Sequence, residues 1–166
     1  MRGTVFVLNG PNLNLLGRRE PDIYGSDTLD DIARAMTERA DALGLALDIR
    51  QSNHEGHLVD WLHEAMDCAD AVILNAGGYS HTSVAIRDAV AALPVPLVEV
   101  HLTNIHARER FRRRSLIAEV ADRSIAGFGA LGYLLALDAA AHLCKGAAAA
   151  RKSAGRNRQG QGKQGK

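Results

Sequence analysis

The sequence predicts an α/β fold in which helices cover both faces of a five-stranded parallel sheet, and three observations lead there. Short apolar runs alternate with longer stretches whose apolar residues recur at helical spacing, the pattern of βαβ units rather than hairpins. Several runs are apolar at successive positions instead of every second one, as strands buried on both faces require. The chain has 166 residues, is 46% hydrophobic and carries a formal net charge of +1, so it can bury one proper core and projects no strong field toward nucleic acid.

Thr4 to Leu8, TVFVL, is the first strand. Asn9 to Gly25, NGPNLNLLGRREPDIYG, reads as a long loop: Asn9, Gly10 and Pro11 break the strand, Gly17 and Pro21 forbid a regular helix, and Gly25 closes the segment. Connections this long are usually functional lids or linkers. This one keeps Leu13, Leu15, Leu16 and Ile23 and carries Tyr24, which favours a lid. From the N-cap residues Ser26 or Asp27, the positions Leu29, Ile32, Ala33, Met36 and Leu43 hold helical spacing until Gly44. Leu45 to Gln51 then alternates as the second strand, and after the polar loop Ser52 to Gly56 a second helix puts Leu58, Trp61, Leu62 and Ala65 on one face.

Ala71 to Leu74 is the third strand and stops at Asn75-Ala76-Gly77-Gly78. A third helix spans about Thr82 to Leu93, Pro94 stops it, and Pro96 to Val100 forms a fourth strand ending at His101. Beyond the arginine-rich segment Ile105 to Arg114, Ser124 to Ala126 is a short fifth strand, and Leu131 to about Lys145 is the last helix. Right-handed crossovers give this series a flavodoxin-like three-layer sandwich with strand order 2-1-3-4-5. A ligand of such a sheet sits beyond the carboxyl ends of the strands where the order reverses, here between strands one and three. The loops after strands one, three and four converge there and bring together Asn9 to Tyr24, Asn75 to His81 and His101 to Asn104, the segments richest in asparagine, histidine and glycine.

Residues 1–145 are expected to form a single catalytic domain, and 146–166, basic and rich in glycine and glutamine without aromatics, a disordered solvated tail. A tail of that composition is weak ground for nucleic-acid binding, and none is expected. No run approaches the roughly 18 apolar residues of a membrane helix, and Met1 to Thr4 opens into a strand rather than a signal peptide, so a cytoplasmic protein with no membrane partner is expected. Cys68 and Cys144 lie far apart without partner spacing and read as reduced packing residues.

Several motifs invite chemistry and are set aside. GFGALG at 127–132 matches GxGxxG, but no acidic residue follows at the distance a dinucleotide site needs, and close packing of the last helix on the sheet accounts for the glycines. The histidines, His101 with His106 or His54 with His57 and His63, lack any zinc-site spacing, and no metal is expected. Ser80-His81 is no nucleophile and base, because adjacent residues seldom face each other and no GxSxG elbow is present; His81 reads as a polar contact at the start of helix three. His101 is different. It ends a strand at the ligand edge, and Glu99 at i−2 faces the same way and can orient its imidazole.

The segments NGPNLNLLGRREPDIYG at 9–25, NAGGYSHTSVAIRDA at 75–89 and EVHLTNIHARERFR at 99–112 together resemble the type II 3-dehydroquinate dehydratase family, over the chain from strand one to about Lys145. The resemblance implies a hydro-lyase that converts 3-dehydroquinate to 3-dehydroshikimate, in the shikimate pathway or in quinate breakdown, without metal or organic cofactor. It also implies a homo-dodecamer built as a tetramer of trimers. By the same resemblance Tyr24 is the base, Arg19 the lid arginine that promotes its ionisation, His101 the general acid, and Asn12 a residue near the enolate. Asn75 and the backbone amides of Leu102 and Thr103 match the carboxylate site, His81 and Arg112 hydroxyl-binding positions, and Asp88 a residue that reaches in from a neighbouring subunit. Arg110 departs from the pattern, standing where an acidic residue is frequent, and the tail lies outside it.

The chemistry suits these residue types. Removing a proton alpha to a ketone needs a base, a group to hold the developing oxyanion and an acid for the departing hydroxyl. A tyrosine with its ordinary pKa of about 10 is a poor base at neutral pH, and a neighbouring guanidinium such as Arg19, Arg108 or Arg112 favours the phenolate. Three other readings stand beside this one: a non-catalytic module that holds a small carboxylate with the same loops, a nucleic-acid protein acting through the tail, and a flavin protein of this topology.

Overall fold

The computed structural model describes residues 2–18 and 20–144, with Pro21 and Tyr24 by their backbone alone. Strands β1 (Gly3–Asn9), β2 (Leu45–Gln51), β3 (Ala71–Asn75), β4 (Leu97–His101) and β5 (Arg123–Ala126) form one sheet of order β2-β1-β3-β4-β5. All four pairings are parallel. Helices α2 (Leu29–Leu43), α3 (Glu55–Cys68) and α4 (Val84–Ala91) follow β1, β2 and β3, and residues 131–144 form α5.

Alternation along the strands sorts the core into two layers. Val5, Val7, Ile73, Val98 and Val100 face Met36 of α2 and Tyr133 and Leu137 of α5. Phe6, Leu8, Val72, Leu74 and Leu97 face Leu58 and Leu62 of α3 and Ile86 of α4. Side chains buried this completely contribute about 1.5–3 kcal/mol each relative to exposure. The sandwich therefore has three layers, as the sequence predicts.

Helix boundaries differ from expectation in places with local causes. The segment after β1 is not wholly irregular: Leu13–Leu15 makes a 3₁₀ turn, and Pro21–Tyr24 forms a one-turn helix, α1. Pro21 opens that turn instead of forbidding it, because the first helical residue has no use for an N–H and needs the φ that proline supplies. Helix α2 is capped by Thr28 rather than by Ser26 or Asp27: the Thr28 hydroxyl accepts from the Asp31 N–H, and the Asp31 carboxylate accepts from the Thr28 N–H, a reciprocal box. Helix α4 is shorter than the 82–93 span because Ser83 caps it, accepting from the Ile86 N–H at 2.9 Å. Gly127 and Gly129 hold positive φ, so left-handed backbone explains them better than close packing does. The basic tail expected at 146–166 lies outside the described residues.

The register matters most at the carboxyl edge. Asn9 sits opposite Gln51 on one side and Asn75 on the other, so three amide side chains end three neighbouring strands in one row.

Candidate active site

The chain leaves β1 and β3 with its loops pressed together. The Gly10 N–H donates to the Asn75 carbonyl at 2.7 Å, and a Cβ on Gly10 would lie 2.5 Å from the Ala76 carbonyl oxygen, so only glycine allows the approach. The cleft above this contact is lined by Pro11, Asn12, Leu13 and Leu16 from the first loop, and by Asn75, Gly77, Gly78 and His81 from the second. His101, Leu102, Thr103, Ile105, Arg108 and Arg112 line it from the third.

Asn75 is held at both ends of its amide. Its Oδ1 accepts from the Gly77 N–H at 3.2 Å, and its Nδ2 donates to the Tyr133 hydroxyl at 2.9 Å. Next to it, the N–H groups of Leu102 and Thr103 find no backbone carbonyl among the described residues, so the start of the third loop presents donors at the strand ends. Successive amides of this kind form an anion-binding concavity.

His101 is buried, and its Nε2 lies 2.9 Å from Glu99 Oε1, an ion-pair distance with the N–H off the line of an ideal hydrogen bond. Glu99 is sealed from solvent and also takes the Ser115 hydroxyl on Oε1 and the Ser124 hydroxyl on Oε2, the latter at 3.0 Å. Burial pushes this carboxyl up, but the imidazole and the two hydroxyls outweigh it and hold it below its ordinary value. Glu99 thus stays an anion and fixes Nε2 as the protonated nitrogen, leaving Nδ1 as the nitrogen it does not engage. The His81 ring stacks 6.1 Å from that of His101, and its Nδ1 donates to the Arg114 carbonyl at 2.8 Å. His81 is therefore no partner of Ser80, whose hydroxyl is buried with no hydrogen-bond partner among the described residues. Nor is it merely a contact at the start of α4.

On the far wall Arg108 and Arg112 flank Glu109, at 3.5 and 2.8 Å. Arg108 and Arg112 bring two guanidinium groups to this wall, a placement that suits an anionic ligand. On the first loop, Asn12 is exposed with φ at 68°, and its N–H donates to Asn53 Oδ1 at 2.9 Å. Gln51 Nε2 donates to the same oxygen at 3.1 Å and to the Gly10 carbonyl at 3.2 Å.

Of the residues singled out in the sequence, Asn12, Asn75, His81, His101, Leu102, Thr103 and Arg112 share this one cleft. Asp88 does not: it stands exposed on α4 with its carboxylate 3.3 Å from Arg87. Arg19 and the Tyr24 side chain lie outside the described residues. Sequence reasoning missed Ser115, Ser124, Tyr133 and Asn53. A signal existed for Tyr133, because a tyrosine within an apolar helix must find a partner for its hydroxyl. One existed for Ser124 too, since the order 4-5 sets it beside Glu99 in the sheet. Among the described residues no His, Cys, Asp or Glu cluster has the arrangement of a metal site.

Residues 3–141 match the family model described as dehydroquinase class II. The chain belongs to the class II dehydroquinase family. It is 60% identical over 139 residues to the 3-dehydroquinate dehydratase of Mesorhizobium japonicum, spanning 83% of this chain and 96% of that protein. With the 3-dehydroquinate dehydratase of Rhizobium meliloti it shares 57% over 143 residues, 86% of this chain and 97% of the relative. The crystal structure of a type II dehydroquinase from Propionibacterium acnes superposes with a TM-score of 0.82 at 44% identity, over 86% of this chain and 98% of that one. Class II dehydroquinase membership thus covers all three cleft-forming loops. No described helix is long and apolar enough to cross a membrane.

Proposed function

We propose that this class II dehydroquinase, a lyase acting on 3-dehydroquinate, works through an enolate, with Tyr24 as base and His101 as general acid. In this reading the Tyr24 phenolate, favoured by Arg19, takes the proton alpha to the ketone, and the electron pair moves onto the carbonyl oxygen near Asn12. Collapse of the enolate expels the hydroxyl, His101 protonates it as water, and the new double bond is conjugated with the ketone of 3-dehydroshikimate. Asn75 with the Leu102 and Thr103 N–H groups takes the carboxylate, and His81 and Arg112 take hydroxyls.

The observation that supports this reading best is the Glu99–His101 pair, an imidazole held by a buried carboxylate in the same cleft as backbone donors and two guanidinium groups. A general acid must be held in place, and the Glu99 carboxylate orients the imidazole through Nε2. We also infer one catalytic domain over 1–145, a cytoplasmic location, no nucleic-acid partner, and a dodecamer of four trimers. The exposed side chains of Val84, Phe111, Phe128 and Leu131 suit buried contacts between copies, and Asp88 on α4 would serve a neighbour's cleft rather than its own. Incubating the protein with 3-dehydroquinate and following the ultraviolet absorbance of the enone tests the activity. No enone at any pH from 6 to about 10, the range over which a tyrosine ionises, would defeat the reading. Light scattering on the same sample tests the dodecamer.

A further inference from the structure

We propose that Tyr133 is a positioning residue whose hydroxyl sets the orientation of the Asn75 amide, so that one Nδ2 hydrogen faces the substrate's carboxylate. This rests on the reading above that Asn75 belongs to the carboxylate site. The tyrosine comes from α5, which belongs to none of the three loops, and it is not among the residues that line the cleft.

Hydrogen-bond direction fixes which way the amide faces. The Arg50 carbonyl can only accept, so the Asn9 side chain must turn Nδ2 toward it, at 3.1 Å. Asn9 Oδ1 is then an acceptor, and the Tyr133 hydroxyl donates its one proton there, at 2.6 Å. With that proton committed, the Tyr133 oxygen can only accept, and Asn75 must present Nδ2 to it, at 2.9 Å. At the opposite end the Gly77 N–H can only donate, and it meets Asn75 Oδ1 at 3.2 Å. Both ends of the chain are backbone groups whose roles cannot be exchanged. Turning the Asn75 amide over would set acceptor against acceptor at Tyr133 and donor against donor at Gly77.

Solvent cannot substitute for the missing partner, because Asn9 and Tyr133 are 0% exposed and Asn75 is 3% exposed. Burial also pushes the Tyr133 phenol well above its ordinary value, so it keeps its proton while the enzyme works. One Nδ2 hydrogen of Asn75 has no acceptor among the described residues, and Asn75 lines the cleft. A carboxylate there meets a fixed donor instead of an amide that can turn its oxygen toward the anion.

Tyr133→Phe keeps the ring and deletes the hydroxyl. With 3-dehydroquinate as substrate we expect KM to rise about tenfold, the size of one hydrogen bond to a charged group, with kcat within about twofold and the pH limbs unmoved. Asn9→Ala frees the Tyr133 proton to turn toward Asn75 and should raise KM in the same way, which gives a second route if the first variant folds poorly. Each is repeated in an Asn75→Ala background. If Tyr133 acts through Asn75, its effect on KM disappears there. An unchanged KM in both single variants, or an equal rise with and without Asn75, overturns the proposal while leaving the dehydratase reading intact. A wild-type protein that yields no enone, or an Asn75→Ala variant with normal KM, overturns the reading on which it rests.

Discussion

Asn75 and His101 end strands, are sealed from solvent and are held from behind: Tyr133, itself buried, holds the asparagine, and buried Glu99 holds the histidine, with buried Ser115 on one carboxylate oxygen and the exposed Ser124 on the other. Asn12, across the same cleft, is exposed and is held through its backbone N–H by an exposed side chain, Asn53. The difference separates what folding prepares from what ligand must organise. The Asn75 amide and the His101 imidazole are set once the sheet closes. The first loop keeps Leu13 and Leu16 buried but is exposed at Arg18, Glu20, Asp22, Ile23 and Gly25.

The largest expected effect lies on the loop side. Tyr24→Phe should lower kcat by about a thousandfold or more while substrate still binds, since only the proton acceptor is lost. Steady-state kinetics beside equilibrium titration with 3-dehydroquinate measures it, and near-normal turnover would remove Tyr24 from that role. On the strand-end side, Glu99→Gln keeps shape and removes the charge that Nε2 faces; kcat should fall about a hundredfold, measured at a temperature where the variant's melting curve shows it folded. A variant as active as wild type would make that wall structural only.

Gly10→Ala tests the seam between the two sides. Its Cβ would collide with backbone at Ala76, which cannot move aside without β3, so stability should fall by about 1–3 kcal/mol in denaturant unfolding. The smallest effect is a pH effect. Glu99 is held below its ordinary carboxyl value in the folded protein, so its contribution is complete above about pH 4.5 and is lost as pH falls through the depressed value. Ser124→Ala weakens that hold. The variant should be less stable than wild type by up to about 1 kcal/mol at pH 6, and the gap should close on acidification, as urea titrations at a series of pH values would record. A gap that stays constant with pH would mean that Ser124 acts through packing.

The same division governs what could be read from sequence. Strand order was legible because apolar runs such as TVFVL and AVIL report burial on both faces directly, and Asn75 and His101 were legible because each ends such a run. Ser124 and Tyr133 left only partial signals, a neighbouring strand and a phenol in an apolar helix, because they act on partners 25 and 58 residues away in the chain, and periodicity carries no information about which side chain a distant hydroxyl meets. Pro21 misled for a local reason, since the same residue ends one helix and begins another, and only the backbone distinguishes the two.

The Tyr133 to Asn9 hydrogen bond joins residues 124 positions apart. A polypeptide emerging from the ribosome has made its first, second and third strands long before that phenol exists. Until then the two asparagines at the sheet's rim have no tyrosine to order them. Competence to bind substrate should therefore arrive late, with the docking of the closing helix, and a refolding experiment that tracks ligand capture should lag behind one that tracks helix content.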